Sequence, residues 1–123
     1  MNVIISSLSQ TPIYKQITNQ IKEQIFKGII KGEEQLPSIR VMSKDLRVGI
    51  VTVKRAYEEL EKQNLVITIP GRGCFVNQID LDKTKELHLI ELKKKLDEIK
   101  DFADNANIKK IEITKIINDI YGG

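Results

Sequence analysis

Along the first part of the chain the apolar residues recur with a helical period, and near residue 70 they cluster into short β-branched runs. Ile13, Ile17, Ile21 and Ile25 stand four residues apart with polar residues between them, which predicts one buried stripe on a helix of about five turns. Thr11-Pro12 marks its start, Thr as cap and Pro at the first helical position, and Gly28–Gly32 marks its end. Ahead of it, Val3-Ile4-Ile5 has the character of an edge strand. Gly32-Glu33-Glu34-Gln35 forms a polar connector to a second predicted helix, Ile39 to Leu46, capped by Ser38. Val41, Met42, Leu46 and Val48 are its inward positions. Val48-Gly49 makes the turn into a third helix, Ile50 to about Gln63. There Val53, Ala56, Tyr57 and Leu60 fall at i, i+3, i+4, i+7 and define the buried face. Val51, Arg55 and Glu58 point the other way, with Thr52 and Lys54 on the flanks.

Leu65 to Ile69 is a strand, and Cys74-Phe75-Val76 is its return. Pro70-Gly71-Arg72-Gly73 between them is a turn, because Gly71 and Gly73 permit positive φ on either side of the arginine. Beyond Leu81 the pattern changes. Leu89, Leu92, Leu96, Ile99, Ala103 and Ala106 alternate spacings of three and four, an a/d seam of about two and a half heptads. Asp104–Asn107 interrupts it, and Ile113, Ile116, Ile117 and Ile120 mark a last short helix. The predicted fold is mainly α with a small β-hairpin wing. It comprises a winged helix-turn-helix over residues 1–79 and a two-helix dimerisation tail over residues 80–123.

Composition narrows the function classes. Apolar residues make up 41% and charged residues 30% of 123 positions, a mix that folds. The net charge of +3 is modest but uneven: residues 1–79 hold eleven Lys/Arg against seven Asp/Glu, and residues 80–123 hold nine against ten. A basic first part joined to a near-neutral remainder fits a nucleic-acid-contacting domain. A lone cysteine, Cys74, suits a reducing cytosol. The apolar runs are too short to span a membrane, and the N-terminus lacks the basic and apolar regions of a signal peptide. These features predict a soluble, cytoplasmic protein. His88 and Cys74 are the single histidine and cysteine, so neither a metal cluster nor a Cys/His nucleophile pair is available. Carboxylates lie three or four residues from lysines, as helix-surface pairs do. No enzyme, cofactor or metal is predicted.

Leu36-Pro37-Ser38-Ile39-Arg40, Thr52-Val53-Lys54-Arg55-Ala56-Tyr57-Glu58-Glu59-Leu60-Glu61 and Gly71-Arg72-Gly73-Cys74-Phe75-Val76, in that order and at that spacing, resemble the N-terminal DNA-binding domain of GntR-family bacterial repressors. The short helical tail resembles the YtrA-like subfamily, which implies a homodimer. The resemblance implies that Arg40, Thr52, Lys54 and the wing at Gly71, Arg72 and Gly73 sit at DNA-contacting positions. Gly49 and Ile50 depart from the family pattern of Ser or Thr followed by a polar residue, and Ile50 cannot hydrogen-bond a base edge, so readout there would be apolar.

Each candidate has a plainer alternative. Arg40 reaches DNA or pairs with Glu33, Glu34 or Asp45. Lys54 and Arg55 are neighbours and cannot share a helix face, so one meets the groove and the other the backbone, or both are solvated. Arg72 enters a narrow minor groove, which attracts arginine, or solubilises a hairpin tip. Tyr57 belongs to the buried face, and Glu58, Glu59 and Glu61 would be repelled by phosphate, so contact ends near Arg55. The predicted partners are double-stranded DNA and a second copy of the chain joined through Leu89, Leu92, Leu96, Ile99, Ala103 and Ala106. A winged-helix protein-interaction module without DNA binding is the alternative. No feature identifies a small-molecule effector.

Overall fold

The structure is a computed structural model that describes residues 1–122. It forms two compact units, Met1–Leu81 and the chain from Asp82 onward. In the first unit α1 (Ile13–Phe26), α2 (Ile39–Leu46) and α3 (Ile50–Lys62) precede the hairpin of β1 (Val66–Ile69) and β2 (Gly73–Val76). The second unit holds most of α4 (Leu81–Asn105) and α5 (Lys110–Ile120).

The stripe on α1 is buried at Ile17, Ile21 and Ile25, whereas Ile13 is exposed at the open end of the helix. Pro12 is the cap residue of α1, one position later than the sequence pattern predicts, and its carbonyl accepts the Lys15 and Gln16 N–H groups. Thr11 makes no cap. Its carbonyl instead accepts the Gln16 side-chain amide at 2.9 Å.

The predicted edge strand at Val3–Ile5 forms no ladder with another strand. Residues 2–6 run along α1, held by three glutamines one turn apart. Gln16, Gln20 and Gln24 each accept a backbone N–H and donate to the carbonyl of one residue, Ser6, Ile4 and Asn2 respectively, at 2.6–3.2 Å. An amide side chain offers an acceptor oxygen and two N–H donors, so it can satisfy both the N–H and the C=O of one residue as a neighbouring strand would. Val3 and Ile5, pointing between the rungs, pack on the core.

Ser38 caps α2 by accepting the Val41 N–H at 3.1 Å. Met42 is the fully buried residue of this two-turn helix, and Ile39, Leu46 and Val48 pack beside it. Val41 is exposed, contrary to the sequence expectation, because it lies one residue, about 100°, off the Ile39–Met42–Leu46 face. Arg47 ends the helix in the left-handed region (φ 56°), and the Ser43 hydroxyl donates to the Val48 carbonyl, closing the turn before α3. Val53, Ala56, Tyr57 and Leu60 of α3 are all buried, and the Thr18 hydroxyl of α1 reaches the Ala56 carbonyl at 3.4 Å. Asn64 takes the left-handed conformation (φ 59°) that turns the chain into β1.

β1 and β2 pair antiparallel, from Val66 opposite Val76 to Ile69 opposite Gly73. The predicted polar connector is more than a linker. The Glu33 and Leu36 N–H groups donate to the Val76 and Cys74 carbonyls at 2.7 and 2.8 Å, and Val76 N–H returns to Glu34 at 2.8 Å. Residues 33–36 thereby flank β2 on its second edge and tie the hairpin to the approach to α2.

In the second unit, i, i+4 pairs line α4: Lys95–Glu91 at 3.5 Å and Lys100–Asp104 at 2.9 Å. Asn107 (φ 57°) breaks the helix, Ile108 N–H bonds back to Ala103, and Lys109 with Glu112 caps α5. Among the described residues no helix is long and apolar enough to cross a membrane.

Candidate nucleic-acid interface

The start of α2, the outward face of α3 and the hairpin tip carry the predicted contact residues of the first unit. Pro37, Ser38 and Arg40 are positioned from below by Tyr57, whose hydroxyl donates to the Pro37 carbonyl at 2.7 Å. Burial pushes this phenol well above its ordinary pKa, so it stays a neutral donor. Arg40 is exposed, and among the described residues it forms no ion pair with Glu33, Glu34 or Asp45.

On α3, Thr52 is half-buried and Lys54 exposed. Lys54 lies 4.0 Å from Glu58, a solvent-exposed pair that is worth under about 1 kcal/mol and yields easily to a phosphate. Arg55 is held differently. Its guanidinium lies 3.8 Å from the centre of the Tyr14 ring on α1, a cation–π contact that orients the side chain towards α1. Of the adjacent cations, then, Lys54 is held only by an exposed pair with Glu58 while Arg55 is stacked on Tyr14.

Arg72 is exposed at the tip, between Gly71 (φ 77°) and Gly73 (φ 125°). Its carbonyl accepts the Gln35 side-chain amide at 2.9 Å. The left-handed φ of Gly73 favours glycine, and a Cβ there would stand 2.6 Å from that same amide nitrogen and push the Gln35 side chain aside. Gln35 thus braces the wing from the connector, a role that no periodicity marks in the sequence. A second brace joins the hairpin and α3: Thr68 donates to Glu61 at 2.9 Å. Beneath it, burial raises the Cys74 thiol pKa, partly offset by a hydrogen bond with Thr68 and reinforced by Glu61, leaving an unreactive thiol. Between α2, α3 and the hairpin a cleft of about 590 Å³ opens over Pro37, Tyr57 and Cys74, with Arg40, Lys54 and Glu58 among its lining residues.

The seam residues lie in the second unit. Leu89, Leu92, Leu96 and Ile99 are between 45% and 53% exposed. Ala103 is already buried by the chain itself, and Ala106 falls just beyond the end of α4. No cluster of metal-ligating side chains occurs among the described residues.

Residues 13–76 match the family model described as bacterial regulatory proteins, gntR family. The HTH-type transcriptional repressor YtrA of Bacillus subtilis is 33% identical over 123 residues, covering 97% of this chain and 95% of that protein. A crystal structure of a transcriptional antiterminator from Listeria monocytogenes EGD-e superposes with a TM-score of 0.70 at 36% identity, over 100% of this chain and 91% of that one. The AraR DNA-binding domain in complex with operator ORE1 superposes with a TM-score of 0.52 at 25% identity, over 62% of this chain and 93% of that domain.

Proposed function

The chain belongs to the gntR family of bacterial regulatory proteins and is a DNA-binding transcriptional regulator; from that premise we propose that it acts in the cytoplasm as a homodimeric repressor on a palindromic operator. In this reading the first turns of α3 enter the major groove, with Thr52 and Lys54 at bases or phosphates. Arg40 holds the backbone from the start of α2, and Arg72, flanked by Gly71 and Gly73, reaches a minor groove. Arg55, stacked on Tyr14, steadies the backbone beside α1. Leu89, Leu92, Leu96 and Ile99 join two copies, with Ala103 and Ala106 at the end of that seam, so that two recognition helices face one side of the duplex.

The observation that carries the dimer is the half-exposed row of four branched aliphatic side chains on α4: a stripe at coiled-coil spacing gains most of its stability from a partner helix. The basic face supports the phosphate contacts. The test is a titration of the protein against duplex DNA over rising salt. Arg40, Lys54 and Arg55 from two protomers, with or without Arg72, neutralise about six to eight phosphates, for a slope of log affinity on log salt of roughly −5 to −7. Half that slope would indicate a monomer on the DNA, and a flat line would overturn the contact assignment. Selection from a random duplex library should return two-fold symmetric sites.

A further inference from the structure

Basic residues surround the start of α3, but the first turn itself is apolar. Val51 is 79% exposed and Ile50 53% exposed. Val51 falls about 160° from Val53 around the helix, near the middle of the face opposite the core. The preceding residue, Gly49, has no side chain, and a Cβ there would approach only Thr52 Oγ1, at 3.8 Å. Three successive positions at the leading end of the recognition helix therefore offer a base edge no side-chain donor or acceptor.

In a recognition helix these N-terminal positions are the ones that meet base edges. The major groove presents one apolar group, the thymine 5-methyl. Valine and isoleucine suit it, since β-branching leaves few χ1 rotamers to be lost on contact. We propose that Ile50 and Val51 form an apolar reading head for thymine methyls, so that each half-site carries thymine where α3 enters the groove. This rests on the placement of α3 in the major groove given above. Specificity at these bases then comes from methyl contact, while Thr52, Lys54 and Arg40 supply orientation and charge.

The test uses a duplex recovered from a random library, with each thymine replaced in turn by deoxyuridine, which removes the methyl and leaves pairing intact. One or two replacements per half-site should weaken binding roughly fourfold each, the worth of one buried methyl group. Val51→Ala and Ile50→Ala proteins, verified by thermal melting to be folded, should lose that sensitivity at the affected positions. Val51→Thr, which keeps the shape but brings a hydroxyl, should not restore it fully. If every deoxyuridine duplex binds as well as its thymine parent while the salt dependence stays steep, the methyl readout is wrong and the DNA-binding reading stands. If the replacements weaken binding equally in the parent and in Val51→Ala and Ile50→Ala, other residues read the methyls and the inference fails. Absence of duplex binding by the parent protein would overturn both.

Discussion

Replacing Leu96 by alanine gives a quantitative test of the seam. Leu96 is 45% exposed in the single chain, so a partner helix would cover a little under half of its side chain. Alanine removes three carbons, worth about 2.4 kcal/mol if fully buried at about 0.8 kcal/mol each; the part that only a partner covers is about 1.1 kcal/mol. A two-fold interface contains the residue twice, so the dimer should lose about 2.2 kcal/mol, roughly a fortyfold weaker dimer constant. Sedimentation equilibrium over a range of concentrations reads this directly. Leu96→Asp should leave monomer throughout. An unchanged association constant for Leu96→Ala, or a monomeric parent at high concentration, would refute the assignment of α4 as the dimer seam.

Arg72→Ala should weaken duplex binding by roughly 1–3 kcal/mol in a filter or anisotropy assay and leave the melting temperature in place; an equal loss of thermal stability would make Arg72 structural. Stability should fall on the alkaline side. The folded state raises the pKa of Cys74 above its ordinary 9.0 and of Tyr57 above its ordinary 10.0. Folded protein therefore holds protons that the unfolded chain releases. Stability is complete below pH 9 and then declines, by up to about 1.4 kcal/mol per pH unit for each group. Denaturant melts at pH 8 to 11 should show the second slope vanish in Tyr57→Phe. Gln20→Ala removes the middle rung beneath Ile4, with bonds of 2.8 and 2.6 Å; a loss of about 1 kcal/mol and faster amide exchange at Ile4 should follow.

The helices are readable because their apolar residues sit at spacings that only a helix collects on one side: Ile17, Ile21 and Ile25 on α1, and Val53, Ala56, Tyr57 and Leu60 on α3, all of them buried. The hairpin is readable because Gly71 and Gly73 announce positive φ, which both adopt. Contacts that depend on backbone groups leave no such trace. Residues 33–36 pair with β2 through amides and carbonyls that every residue possesses, and Glu and Gln give no hint of strand character. Val41 misled because an eight-residue helix offers too few positions to fix the direction of its face. The brace from Gln35 to Arg72 and the stack of Arg55 on Tyr14 join residues far apart in the chain, and their geometry arises only once α1, α3 and the hairpin are packed. The cations of the interface were legible as residue types; that Arg55 stacks on Tyr14 of α1 while Lys54 keeps only its exposed pair with Glu58 was not.

The three glutamines on α1 work like a vernier. Four residues of helix rise ~6.0 Å, while two residues of extended chain span ~6.6–6.8 Å, so each successive rung slips by ~0.7 Å. Three rungs keep the error within what a flexible amide can absorb, and a fourth would be ~2 Å out of step on one side. The scale is read entirely from backbone groups at positions 2, 4 and 6. Side chains at those positions are consequently free to drift in evolution, whereas proline at any of them would delete a donor. The instruction for where the leading segment lies is written in the helix, not in the segment itself.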